Sequence, residues 1–416
     1  MRLYQPPALQ FKEQVTRLFR QAIAQGSALT REVHQVGYRI PWASHKRPKL
    51  TSPQAGSFQG RQAGRTNPIL SQKWQELVAK GHARVVSDSS KGLYSPSFVI
   101  PKKGKNEFRL INDLRHLNTF VLPTVSKKPG IRQALAGLHR GDWLASFDVE
   151  NGYYNVNIHP ADQKYFRFRI GDVTFELLKL PMGFRNSNTA FRAFLQPYLQ
   201  TLRYLFPNAT FFAYVDDVLI SMNRRRTPKA MAEALLQRIQ AAIQFMKLPL
   251  KATKSCFTPK RHAIFLGFKV SSHTLTITIP AEKLKSVRRQ VIRTMRQNER
   301  HQLQLRHLSS TIGQLMALLP AVPEARLHSG YLHRTQATIV SITGWIPHTA
   351  IHLDTEAKAE LNWWILFLKC QRPRPLQAKW KYHELSVVAT DASQHTLGRG
   401  VLLSDPRLLT FRAPLS

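Results

Sequence analysis

The run Phe211–Ile220, FFAYVDDVLI, sets two adjacent carboxylates, Asp216 and Asp217, inside an otherwise apolar, strand-like segment. Ionised carboxylates are costly to take out of water unless they are paired or bound to a cation. Adjacent like charges also raise each other's pKa and resist joint ionisation. Such a hairpin either turns on the Asp-Asp dipeptide, since β-turns favour Asp, or offers oxygen ligands to a hard divalent metal. Both readings fit the dipeptide alone. If strand geometry ran through the pair, the two side chains would point to opposite faces, and Asp216 would be the better ligand.

A second carboxylate favours the metal. In WLASFDVENGYYNVNI, Trp143–Phe147 reads as a short strand with Asp148 at its end. A carboxylate ending one strand and a pair in a nearby hairpin can converge on the same ions. Two-metal phosphoryl chemistry needs that arrangement: one ion activates the attacking hydroxyl and the other stabilises the leaving oxygens.

Charge supplies the matching partner. The 416-residue chain has a formal net charge of +37. Charge of that size opposes compaction unless a polyanion offsets it, which implies nucleic acid. A basic ribosomal component would share the charge but not the carboxylates. Cys256 and Cys370 are the only cysteines. They give no zinc spacing and no disulfide framework, so a reduced intracellular setting, nucleus or cytoplasm, is expected. No apolar run reaches membrane-spanning length, no secretory pattern opens the chain, and no membrane partner is expected. Oligomeric state is not fixed by the sequence.

Along the chain, apolar spacing predicts a helix over Ala8–Ala24, and Pro, Gly, Ser and basic residues over 41–67 predict a flexible arm. Helices are expected over Pro68–Lys80, 131–139, Thr189–Phe206 and Thr227–Met246, and a β-hairpin over 92–120 turning at Gly104–Asn106. Strand, helix, strand, strand, helix, strand is the order of a split βαβ unit. In Ala281–Arg300, Leu284, Val287, Val291 and Met295 form a core-facing stripe. Lys285, Arg289, Arg293, Arg296 and Arg300 recur on an adjacent face. Like charges at that spacing repel; the face is either simply solvated or lies along phosphates.

These segments resemble, in one collinear order, the catalytic motifs of reverse transcriptases. Tyr94–Asn118 resembles the fingers hairpin, FDVENGYYNVNI carries the first metal-binding Asp, and KLPMGFRNSNTAF resembles the Leu-Pro-Gln-Gly segment. YVDD follows, then LPLKATKSCF, similar to a lysine-bearing loop, and FLGF, similar to the primer-grip hairpin. IPAEKLKSVRRQV, RHLSSTIGQLMALLPAVPEARLHSGYLHR, LDTEAKAELNWWILFL and ATDAS resemble tyrosine-recombinase retrotransposons of the DIRS type, including the trypanosomatid VIPER elements. That downstream series disfavours a hepadnaviral or group II intron polymerase.

The resemblance implies an α+β right-hand fold: a partly disordered basic extension (1–67), fingers and palm (68–270), a helical thumb (271–345), a connection (346–385) and a truncated ribonuclease H-like start (386–416). It implies an RNA-directed DNA polymerase: the primer 3′-hydroxyl attacks the α-phosphorus of a dNTP on an RNA or DNA template and pyrophosphate leaves. Asp148, Asp216 and Asp217, with the Val149 carbonyl, would hold two Mg2+ ions, or Mn2+ in their place. Lys103 (or Lys102) and Arg109 would grip the triphosphate. Tyr153 would stack beneath the sugar and exclude a 2′-hydroxyl, with Tyr154 an ordinary core residue. Lys254 would either protonate pyrophosphate or touch phosphate non-specifically. Lys285, Arg289, Arg293, Arg296 and Arg300 would follow the primer–template duplex.

Two positions depart from the pattern. Met182 stands where many reverse transcriptases have Gln and cannot make its hydrogen bonds; Asn188 stands where Pro is usual. Asp391, in ATDAS, matches the first metal ligand of ribonuclease H, but the further acidic positions would lie beyond Ser416, so self-sufficient ribonuclease H activity is not expected. The alternative function is a catalytically inactive nucleic-acid-binding remnant of a degenerate element.

Overall fold

In the computed structural model the described residues are 8–44, 47–52, 67–87, 91–101, 107–124, 131, 135–370 and 373–376, and, for their backbone alone, 387–392, 396–402 and 408–414. Lys103, its alternative Lys102 and the expected turn Gly104–Asn106 lie outside them. Of the expected helix over 131–139, Ile131 and Leu135 are helical and buried.

The chain begins with helices α1 (Ala8–Ala24) and α2 (Ala28–Gln35). Ser27 caps α2 by accepting from the Thr30 N–H at 3.1 Å, as N-cap serines do. Helix α3 (Pro68–Ala79) starts with proline, and the Asn67 side chain caps it; proline there needs no N–H partner. Trp74 of α3 is fully buried against Phe168 and Phe175, its indole N–H on the Ser97 hydroxyl at 3.2 Å. Next come β1 (Ala83–Val86), the hairpin β2 (Ser97–Pro101) and β3 (Phe108–Asn112), and the short α4 (Arg115–Thr119).

Strand β4 (Trp143–Asp148) opens the central sheet; β5 (Arg167–Ile170) and β6 (Val173–Leu177) instead pair with β1 in the order β1-β6-β5. After them run α5 (Ser187–Leu205), β7 (Ala209–Tyr214), β8 (Asp217–Met222), α6 (Lys229–Phe245) and β9 (Cys256–Lys260). The central sheet is antiparallel with order β7-β8-β4-β9, the expected split βαβ order with β5 and β6 inserted before its first helix.

Alternation explains why this sheet sits in the middle. Ala145, Phe147, Val218 and Ile220 enter the core beneath α5 and α6, while Leu144 and Leu219 enter a second core on the opposite face. A sheet buried on both faces reads as a continuous apolar run, and an ionised side chain tolerates such a strand only at its end.

The second core lies under β10 (His262–Phe265), β11 (Phe268–Ser271), β12 (Thr276–Thr278) and β13 (Arg374–Pro375), an antiparallel sheet in that order. It continues through α7 (Ala281–Glu299), α8 (Leu305–Met316), α9 (Gly330–Thr343) and α10 (Thr355–Phe367). Helix α7 packs on α8 and α10, and α9 on the same two. Trp364 of α10 is fully buried, its indole N–H on the His328 carbonyl at 2.7 Å.

The described residues of the arm expected over 41–67 are anchored. The Ala43 N–H bonds the Phe120 carbonyl at 2.9 Å, Trp42 packs on Tyr165 at 4.6 Å, and Thr51 exchanges hydrogen bonds with Gly92. The few apolar residues there suffice as anchors. Helices α1 and α2 likewise pack against α5. The connection expected over 346–385 is not one piece: Ala357, Leu361 and Trp364 bury α10 in the helical bundle assigned to the thumb, and β13 joins the β10–β12 sheet.

Residues 377–416 form a separate unit. Its described backbone is the antiparallel sheet β14 (Val387–Ala392), β15 (Thr396–Leu402) and β16 (Leu408–Pro414), with Asp391 paired to Gly398. A three-strand meander is common to many folds and does not single out ribonuclease H.

Candidate active site

The Asp-Asp hairpin is tighter than alternation alone would make it. Tyr214 pairs directly with Asp217, leaving Val215 and Asp216 as a two-residue turn. Val215 has φ +57°, a backbone state that β-branched residues rarely adopt and that is held only where the surroundings enforce it. The Asp216 carbonyl accepts the Val149 N–H at 3.0 Å, which ties the turn to the end of β4. Strand geometry therefore does not continue through the pair. Asp217 is the residue directly opposite Asp148, and Asp216 belongs to the turn beside them.

Three carboxylates thus share one end of the sheet. Asp148 is buried, and Asp216 and Asp217 are partly buried. Burial pushes the Asp217 carboxyl up to about 6, helped by the charges of Asp216 and Asp148. Burial also raises Asp216, with Asp148 adding to it. The Lys254 ammonium lies 3.0 Å from Asp148 Oδ2, and that hydrogen bond holds the lysine above its ordinary value. Among the described residues no closed set of three or more His, Cys, Asp or Glu ligands is assembled. The donors nevertheless suit a hard divalent cation: all are oxygens, half-withdrawn from water, and destabilised by one another.

The loop that carries Lys254 contributes more than the sequence reading assigned to it. The Lys251 N–H donates to the Asp148 carbonyl at 2.9 Å, the Ser255 hydroxyl accepts the Asp148 N–H at 3.2 Å, and the Lys251 charge stabilises ionised Asp216. The signal available was the clustering of Lys251, Lys254 and Ser255 in LPLKATKSCF. Opposite the loop, Leu266 and Gly267, at φ +51° and +73°, form the two-residue turn of the β10–β11 hairpin; paired positive φ is the hairpin-turn signature. With Ser146, Asp217 and Lys254 this turn lines a cavity of about 400 Å³, which puts FLGF next to the carboxylates.

Tyr153 sits on a 3-10 turn after β4, its ring edge-on to Phe191 at 5.8 Å. Burial and the Asp216 charge raise its hydroxyl. Tyr154 stacks on His82 at 4.9 Å, and burial pushes its hydroxyl to about 12. Arg109 is exposed on β3, paired with Ile100. Met182 is 60% exposed, and Asn188 Oδ1 is buried without a hydrogen-bond partner. Val149 is buried. On α7, Val287 and Val291 are buried, while Lys285, Arg289, Arg293 and Arg296 are exposed, as is Arg300 just past its end. Of these cations, Lys285 pairs with Glu282 at 3.6 Å.

The fold is that of retroviral reverse transcriptases. The whole chain superposes on a foamy viral protease–reverse transcriptase in complex with an RNA/DNA hybrid, with TM-score 0.60 and 17% identity over 53% of that chain. A complex of the foamy viral protein with double-stranded DNA gives TM-score 0.59 and 17% identity over 83% of that chain. Residues 100–270 match the family described as reverse transcriptase (RNA-dependent DNA polymerase). The match spans Asp148, Asp216, Asp217 and Lys254 and stops before α7. The Gag-Pol polyprotein of Walleye dermal sarcoma virus is 26% identical over 241 residues, 58% of this chain and 13% of that protein. The Gag-Pro-Pol polyprotein of Human T-cell leukemia virus 3 (strain 2026ND) is 27% identical over 293 residues, 67% of this chain and 19% of that protein. The chain therefore spans less than a fifth of either polyprotein.

Proposed function

We propose that this chain is an RNA-directed DNA polymerase of a retroelement, extending a primer on an RNA or DNA template with dNTPs. The observation that carries the reading is Asp148 facing Asp217 across β4 and β8, with Asp216 in the adjoining turn and Lys254 on Asp148. In the reaction the primer 3′-hydroxyl gives up its proton to water, its oxygen bonds the α-phosphorus, the bond from that phosphorus to the bridging oxygen breaks, and pyrophosphate leaves.

Asp148, Asp216 and Asp217, with the Val149 carbonyl, would hold Mg2+. The ions supply charge neutralisation at the attacking and leaving oxygens. The protein's own residues position. The Lys251 and Ser255 bonds fix the backbone of Asp148, and the Val149 bond fixes the turn that carries Asp216. Lys254, on Asp148, would give a proton or a positive charge to the departing pyrophosphate. Tyr153, edge-on to Phe191, would lie under the incoming sugar and exclude a 2′-hydroxyl. Arg109 would meet the triphosphate from the β2–β3 hairpin, with Lys103 its partner by resemblance alone, and the exposed cations of α7 would follow the duplex phosphates. The mechanism works by positioning and preorganised charge.

The DIRS-type affiliation is proposed on the series from Pro280 to Leu368 alone. The test of function is primer extension by the purified chain on poly(rA)/oligo(dT) with dTTP and Mg2+. Extension is expected; retained primer–template binding without extension would favour the inactive, nucleic-acid-binding remnant.

A further inference from the structure

The end of the palm sheet remote from the carboxylates carries a charge cluster that the polymerase reading does not use. Strands β4 and β8 run from Asp148 opposite Asp217 to Trp143 opposite Met222, about 17 Å at the usual rise of a strand. Arg140 precedes β4 and donates from Nε to the His273 carbonyl at 3.2 Å. Arg224, in the turn after β8, lies alongside Gly141, and Arg225 and Arg226 follow it. Arg261 lies over the Trp143 ring at 5.4 Å and reaches His273 Nδ1 at 3.5 Å. One chain turn from each of three segments therefore delivers cations to one place.

Of these cations Arg261 lines a cleft of about 440 Å³ on the outer face of the β10–β12 sheet, together with Lys269, His262, His273 and the hydroxyls of Ser271, Thr276 and Thr278, and Arg140 meets the cleft through the His273 carbonyl. Alternation creates that face: Phe265, Phe268, Val270 and Ile277 point inward to the core, and the polar residues between them point out. None of Arg140, Arg224, Arg225, Arg226, Arg261 and Lys269 has a carboxylate partner among the described residues. Asp142, which follows Gly141, is buried and accepts from the Ser221 hydroxyl and the His139 N–H.

We infer that this end of the palm is a second phosphate-binding surface, which holds a nucleic-acid strand outside the catalytic cleft. Three features select this partner. Arginine and lysine alternating with hydroxyls in a concave cleft is the donor set that contacts a phosphodiester backbone. An unneutralised cluster of six cations gains most from a polyanion that releases its counterions. Membrane-surface binding needs buried apolar area as well as charge, and no large apolar residue lines this cleft.

The test uses the full chain, its catalytic cleft first filled with a short unlabelled hairpin primer–template. Binding of a labelled single-stranded RNA, a single-stranded DNA and a duplex is then measured across a salt series. Replacing Arg224, Arg225, Arg226 and Lys269 together by Gln should weaken the second binding event at least about tenfold and lower its log–log salt slope by about 3 for a single strand. Replacing the three arginines by Lys should keep both. Extension of the preloaded hairpin should be unchanged in both variants. Preference for single strands or for duplex identifies which strand the surface serves. Unchanged affinity and slope in the Gln variant, equal loss in the Lys variant, or binding to acidic lipid vesicles in place of the oligonucleotides overturns the inference. Binding is read without turnover, so a chain that fails to polymerise leaves this result standing.

Discussion

The two ends of the β4–β8 ladder carry opposite charge in opposite surroundings. At one end Asp148 faces Asp217, with Asp216 beside them, all partly or wholly buried. At the other end Trp143 faces Met222, bordered by the exposed Arg140, Arg224, Arg225 and Arg226. Charges held away from water act strongly over short distances and are weakly screened by salt. Exposed charges are screened and act in number. The carboxylate end is accordingly built for chemistry at one point, where Asp217 is pushed up to about 6 by burial and its neighbours. The arginine end is built for additive contact with a long polyanion. The difference teaches that one sheet can be read by burial: the buried end concentrates effect in single residues, and the exposed end spreads it.

That contrast can be broken by substitution. Asp217→Asn should lower the extension rate by at least about a thousandfold, because it removes a charge developed for the transition state, without changing the salt slope of primer–template binding. Single-turnover extension checks it, and a loss under tenfold would place Asp217 outside the chemistry. Lys254→Ala should cost roughly a hundredfold in rate, the ordinary scale of general acid catalysis, and Lys254→Arg should restore the ion pair to Asp148 but less of the rate. Tyr153→Ala should leave dNTP extension within about tenfold while raising ribonucleotide incorporation, read by gel mobility after alkaline cleavage; both effects follow from loss of a steric contact rather than a charge. On the exposed side, Arg289→Gln with Arg293→Gln should lower the salt slope of duplex binding by about 2 with little change in single-turnover rate.

Much of the palm was legible because its signals are local. Helical spacing placed α5 within about two residues of its bounds, and the apolar runs around Asp148 and Asp216 marked the paired strands. The relation between Asp216 and Asp217 was not legible. It depends on Val215 taking φ +57°, which no propensity of valine predicts. The Lys254–Asp148 pair joins residues 106 positions apart, so only the fold reveals it, although the lysine-bearing loop marked one partner. Composition did not mark the anchors at the start of the basic arm: Trp42 packs on Tyr165, and the Ala43 N–H bonds the Phe120 carbonyl at 2.9 Å. Helix α10 was assigned to a connection because its packing on α7 and α9 is a tertiary choice. The arginine end escaped notice for the same reason, its cations being scattered over three distant segments.

The central claim is that the carboxylates at one end of this sheet carry nucleotidyl transfer. Its most direct measurement is Mg2+-dependent extension on poly(rA)/oligo(dT) by the native chain beside Asp148→Ala and Asp216→Ala, with primer–template binding and thermal unfolding recorded on the same samples. The native chain should extend the primer, and both variants should bind it, remain folded and extend nothing measurable. Normal extension by either variant would contradict the account.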